Sequence, residues 1–147
     1  MATNPPAGNQ RLIPMLAYDD AEVALRFLCE AFGFVERYRM PMDDGRIGHA
    51  EVVLHGQVVM LASVYPELGF ASPRKLEGCA SQLMFYVDDV DAHFARARDG
   101  GATILGEPVD EFYGARVYRA LDCEGHRWIF ATQTRDVPAD PLAPAKE

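Results

Sequence analysis

Cysteine is scarce in this chain: Cys29, Cys79 and Cys123 stand far apart in 147 residues and form no CxxC pair. The odd count and wide spacing argue against a disulfide framework or a zinc knuckle, and free thiols suit a reducing, cytoplasmic compartment. No apolar run is long enough to span a bilayer. The opening stretch, Met1 to Gln10, lacks the charged start and apolar core of a signal peptide. Basic charge is also short: 14 Lys and Arg against 22 Asp and Glu leave a net charge of -8. Such an acidic surface repels phosphate backbones, which sets nucleic acid aside as a partner. There is no Gly-rich phosphate loop and no Gly-x-Ser-x-Gly elbow. No histidine is spaced to activate a cysteine nucleophile.

What the chain does have is apolar material, 49% of its residues, enough for a packed interior. It also carries an internal repeat at an offset of 69 residues, which sets Met15–Asp20 against Met84–Asp89 and, aligned without a gap, Gly56 against Gly125. Each half opens on a short apolar run, Leu12–Tyr18 and Gln82–Val87, whose length and composition predict strands. Each run ends at an Asp pair fit to start a helix. Ala24, Phe27, Leu28 and Ala31 then recur at helical spacing and stop at Gly33; Val90, Phe94 and Ala97 do the same before Gly100-Gly101. Three strand-like runs follow in each half: Val35–Met40, Arg46–Leu54 and Gln57–Val64, then Ala102–Leu105, Ala115–Leu121 and His126–Thr132. The class is therefore α+β, with two tandem βαβββ modules. We place them at residues 11–65 and 81–133, joined by a linker at 66–80, with flexible tails at 1–10 and 134–147.

The order of elements, together with Ala31-Phe-Gly-Phe34, Ile47-Gly-His-Ala-Glu51, Phe85-Tyr-Val-Asp-Asp89 and Asp122-Cys-Glu-Gly-His-Arg-Trp128, resembles the vicinal oxygen chelate superfamily. That superfamily holds glyoxalase I, extradiol dioxygenases and bleomycin-resistance proteins. The set looks closest to a glyoxalase-like branch often labelled demethylubiquinone methyltransferase. The resemblance implies a cupped mixed sheet, the glyoxalase/bleomycin resistance fold, and a homodimer. It also implies four ligand positions for one divalent ion, which fall here on Ile13, Met60, Gln82 and Ile129. Aliphatic and thioether side chains offer no N or O lone pair, and Gln82 alone is a poor ligand, so we expect no metal at this site and no cofactor.

Strand alternation extends the four positions to a cavity lining. Met15, Met60, Gln82, Met84, Tyr86 and Ile129 form its mostly apolar wall, which suits a small, flat organic ligand or, alternatively, packs as filled core. Phe112 and Tyr113 sit before Gly114 in a loop expected at the mouth. Carried across the repeat, His49 and Glu51 match Tyr118 and Ala120, and Ile47 matches Arg116, so His49, Glu51, Arg116 and Tyr118 are expected on one concave surface. There His49 with Glu51 or Tyr118 suits proton transfer, or Glu51 and Arg116 form a structural ion pair. His93 is expected on a polar helix side, and His126 as a strand cap.

Four readings stay open: a protein that binds a small apolar or aromatic molecule without chemistry; a cofactor-free isomerase or lyase using His49; a metalloenzyme with a relocated site; and a filled, degenerate module that acts through protein contacts.

Overall fold

A computed structural model describes residues 1–137 of the chain. The expectation of a flexible end at 138–147 lies outside the described residues. The elements run β1 (Met15–Tyr18), α1 (Ala21–Phe32), β2 (Val35–Pro41), β3 (Ile47–Leu54), β4 (Gln57–Ser63), then β5 (Gln82–Tyr86), α2 (Val90–Asp99), β6 (Thr103–Asp110), β7 (Ala115–Leu121) and β8 (Arg127–Gln133). Two βαβββ modules are thus present. The linker between them carries two short 3-10 turns, Pro66–Leu68 and Pro73–Lys75.

Both helices start as the Asp pairs predict. Asp20 accepts from the Val23 amide at 3.0 Å, and Asp89 from the Ala92 amide at 3.0 Å. Each cap satisfies an amide that the first turn leaves free. Gly33 closes α1 in the left-handed region at φ 82, where a Cβ is costly. The β3–β4 hairpin turns on His55 (φ 48) and Gly56 (φ 74), the doubly positive pair that a two-residue primed turn requires.

The strands form two four-stranded mixed sheets, ordered β1-β4-β3-β2 and β5-β8-β7-β6, rather than one continuous cup. Each has one parallel pair, β1 with β4 and β5 with β8. The main core serves both modules: Leu28, Phe32 and Phe34 pack with Trp128 and Phe130 across the module boundary, while Ala115, Val117 and Ala131, with Ile129 against them, form a smaller buried cluster apart from it. The Phe32 ring lies 5.4 Å from that of Trp128 and 4.9 Å from that of Phe130, edge-on in both cases, the favoured geometry for aromatic pairs. One face of each sheet is therefore committed to the helices, and the opposite, cupped face looks away from the shared core.

The loop Asp122–His126 locks the modules together. The buried Glu124 carboxylate accepts from the Asp19 and Asp20 amides at 2.7 and 2.8 Å and from the Ser72 hydroxyl at 2.6 Å. Asp122 accepts from the Tyr18 hydroxyl at 2.6 Å and from the Trp128 indole at 3.1 Å. His126 donates to the Ala17 carbonyl at 2.8 Å, so it spans the modules rather than capping a strand. At the other end, the stretch read as an N-terminal tail reaches the first sheet: Gln10 exchanges side-chain hydrogen bonds with the backbone of Val58 at 2.6 and 3.1 Å.

Candidate functional site

The cupped faces follow from strand alternation. In the first sheet Leu16, Tyr18, Ala50, Val52, Val59 and Leu61 point into the core. The cross-strand register Met15–Met60–Glu51–Tyr38 therefore forms one row on the opposite face. In the second sheet Phe85, Tyr118, Ala120, Trp128 and Phe130 point inward, and the matching outer row is Met84–Ile129–Arg119–Gly106. Met15, Met60, Gln82, Met84, Tyr86 and Ile129 all fall on these outer rows or beside them. Phe112 and Tyr113 lie in the β6–β7 loop with their rings 5.2 Å apart, and Phe112 is largely exposed.

Two expected site residues are elsewhere. Tyr118 is fully buried on the helix side, where its hydroxyl meets His93 Nδ1 at 2.6 Å. Arg116 pairs with Asp91 at 3.0 Å and Asp110 at 3.4 Å, so Glu51 is not its partner. The cause is hairpin length. The β3–β4 hairpin pairs Leu54 with Gln57, whereas the β7–β8 hairpin pairs Leu121 with Arg127. The 69-residue offset holds for β1 and β4, but Ala50, opposite Leu61, corresponds to Tyr118, opposite Phe130, an offset of 68. A slip of one residue reverses the face of a strand. The outer-face counterparts of His49 and Glu51 are accordingly Val117 and Arg119. His93 is also not on a polar surface: its Nε2 donates to the Phe32 carbonyl at 2.8 Å and its ring lies 4.1 Å from that of Phe130.

His49 and Glu51 do come together. His49 Nε2 lies 3.1 Å from Glu51 Oε1. Glu51's other oxygen is held by Arg37, through Nε at 2.7 Å and through Nη2. Arg37 reaches on to Asn9 Oδ1 at 2.8 Å and to the Gly8 carbonyl. Burial pushes the Glu51 carboxyl up, but the hydrogen bonds from His49 and Arg37 outweigh it and leave the group below its ordinary value. The anionic carboxylate therefore orients the imidazole, and Arg37 anchors the carboxylate. The Tyr38 ring stands 6.1 Å from that of His49. Arg37 and Tyr38 carried no sequence signal, because a bulge between Glu36 and Tyr38 decides their partners. Arg119 was open to discovery from the correct hairpin count.

A cleft of about 570 Å³ runs between the modules, from Leu12 and Pro14 to Gln82, Met84 and Tyr86 on the outer edge of β5. Burial holds two of the cysteines as thiols, pushing Cys29 up and Cys123 up to about 12.

Ile13, Met60, Gln82 and Ile129 do not fit a divalent ion, since three of the four lack any nitrogen or oxygen donor. Among the described residues no group of three or more His, Cys, Asp or Glu converges as a ligand set either, so His49 and Glu51 lack a third partner. Also among the described residues, no helix is long and apolar enough to cross a membrane.

Paired βαβββ modules with cupped outer faces define a class of small α+β protein, and comparison with known proteins gives the family. The chain belongs to the Glyoxalase/Bleomycin resistance protein/Dioxygenase superfamily, whose description matches residues 12–130. It is 35% identical over 137 residues to an uncharacterized protein of Mycobacterium bovis, covering 91% of this chain and 90% of that one. Among solved structures it is similar to TioX from Micromonospora sp. ML1, with 33% identity, a TM-score of 0.67, and 83% and 97% of the two chains covered. A glyoxalase-related enzyme from Fulvimarina pelagi shares the fold at 21% identity and a TM-score of 0.65, over 84% and 87% of the chains.

Proposed function

We propose that the protein binds a small apolar or aromatic molecule on its cupped face, and that two copies of the chain complete the binding cup as a homodimer. The observation that carries this reading is the exposure of the lining. Met15 is 61% exposed, Met84 46% and Tyr86 58%, an unusual state for three large apolar side chains on the same kind of sheet face. Met15 lies on β1 and the other two on β5, the end strands of their sheets, whose outer edges have no strand partner among the described residues. Free edges beside apolar side chains invite pairing. A second copy that sets β1 of one chain beside β5 of the other joins the Met15–Met60 and Met84–Ile129 rows into one wall. The three free cysteines accord with a reducing cytoplasm.

A second reading has its own support. The His49–Glu51 contact is the arrangement of a general acid/base pair, suited to an isomerase or lyase that moves a proton without a cofactor. With Tyr118 on the helix side, that chemistry rests on the dyad alone.

Sedimentation equilibrium and a thermal-shift screen of aromatic compounds test the proposal. A dimer whose melting temperature rises with at least one compound supports it. A monomer at micromolar concentration, with no responding compound, overturns it. Turnover of a responding compound that is lost in His49→Ala moves the second reading ahead of the first.

A further inference from the structure

We infer that the ligand of this cup carries a hydrogen-bond donor on its aromatic frame, a phenolic hydroxyl or ring N–H, and that His49 Nδ1 is the group that accepts it. The inference rests on the proposed binding role and adds the ligand's polar chemistry to it.

The geometry points to one atom. His49 Nε2 faces the Glu51 carboxylate at 3.1 Å, and a carboxylate held by an arginine accepts and does not donate. Nε2 is therefore the N–H of the neutral imidazole, and Nδ1 is left as a lone-pair acceptor. Among the described residues Nδ1 has no hydrogen-bonding partner, whereas both nitrogens of His93 are bonded within the protein. The His49 side chain is about one-quarter exposed and stands on the face of β3 opposite the core-facing Ala50 and Val52, so its ring is within reach of a molecule resting on that face. The charged groups beside it are already engaged: Glu51 by Arg37 and His49, and Arg37 by Glu51, Asn9 and Gly8.

Apolar surface surrounds the acceptor. Met60 lies opposite Glu51, Met15 opposite Met60, Tyr38 opposite Glu51, and Met40 opposite His49. His49 and Glu51 stand two residues apart on one strand face, about 7 Å along the strand. A bicyclic aromatic resting on Met60 spans that distance and brings an edge donor to His49. A ligand lacking the donor forfeits the hydrogen bond and leaves the acceptor desolvated beneath it.

A matched pair of probes tests this: 2-naphthol, which donates, and 2-methoxynaphthalene, which presents a similar apolar area and does not. Titration calorimetry at pH 8.5 is expected to show 2-naphthol bound roughly three- to tenfold more tightly, the range for one net hydrogen bond. In His49→Leu the two affinities are expected to converge while the methoxy compound keeps its own. The melting temperature of the variant confirms that it folds. Equal binding of both probes to the wild-type chain overturns the donor assignment and leaves the binding role standing. A preference for 2-naphthol that persists in folded His49→Leu overturns His49 as the acceptor. Binding of neither probe overturns this inference together with the class of ligand on which it rests.

Discussion

His93 shows how far a single side chain's role depends on its surroundings. Nothing in the segment Val90–Asp99 marks it as special, yet its ring sits among Phe32, Tyr118 and Phe130, and its Nε2 donates to the Phe32 carbonyl. Burial opposes its charged form and lowers its pKa, with the Phe32 hydrogen bond acting the other way. A histidine whose folded pKa is depressed binds its proton more readily in the unfolded chain. Stability is then independent of pH above the ordinary histidine range near ~6.5 and falls as pH drops through that range towards the folded value. Thermal melts between about pH 5 and 8 are expected to show this loss on the acid side. In His93→Gln that component of the slope disappears; a slope equal to wild type refutes the role. Tyr118, bonded to the same ring, serves the core rather than proton transfer, and burial, which disfavours its charged phenolate, raises its hydroxyl pKa.

At the scale of elements, the helices and most strands were legible because their signals are local. The Asp caps, the Gly33 stop and apolar spacing each act within a few residues. What misled was the pairing of β7 with β8. A gap-free repeat placed Tyr118 beside His49, but the second hairpin has a different span, and the period-2 strand turned the difference into a change of face. β6 also runs to Asp110 rather than ending at Leu105, carrying Pro108 on an end strand where a missing N–H is tolerated. The contact between α1 and α2 has a sharper requirement. Gly100 has an ordinary φ of -80, so space rather than backbone freedom demands glycine. A Cβ there meets Ala31 Cβ at 2.7 Å and its Cα at 2.8 Å. Gly100→Ala is expected to destabilise by roughly 2 kcal/mol, as overpacking does, in denaturant melts with an unchanged m-value. Wild-type stability in this variant refutes the close approach.

Across the whole molecule, the two modules are held by a shared aromatic core and by the Asp122–His126 loop. Glu124→Ala leaves the buried Ser72 hydroxyl and the Asp19 and Asp20 amides without their acceptor. The expected cost is roughly 3 kcal/mol. Hydrogen exchange is expected to quicken at the start of α1, which lies in the other module; an effect confined to the second module argues against a clasp between them. The motif Asp122-Cys-Glu-Gly-His was visible in the chain as a turn, but its partners lie about a hundred residues away, beyond any local signal. The amino-acid order by itself determined the class, the two βαβββ modules, the apolar outer rows and the unsuitability of Ile13, Met60, Gln82 and Ile129 as metal ligands, because periodicity, capping and donor chemistry are properties of residues and their near neighbours. Only the tertiary structure decided that the sheets stay separate within one chain, that Arg37 rather than Arg116 holds Glu51, and that Tyr118 faces the helices, because strand register, bulges and cross-module contacts are settled by packing across the fold.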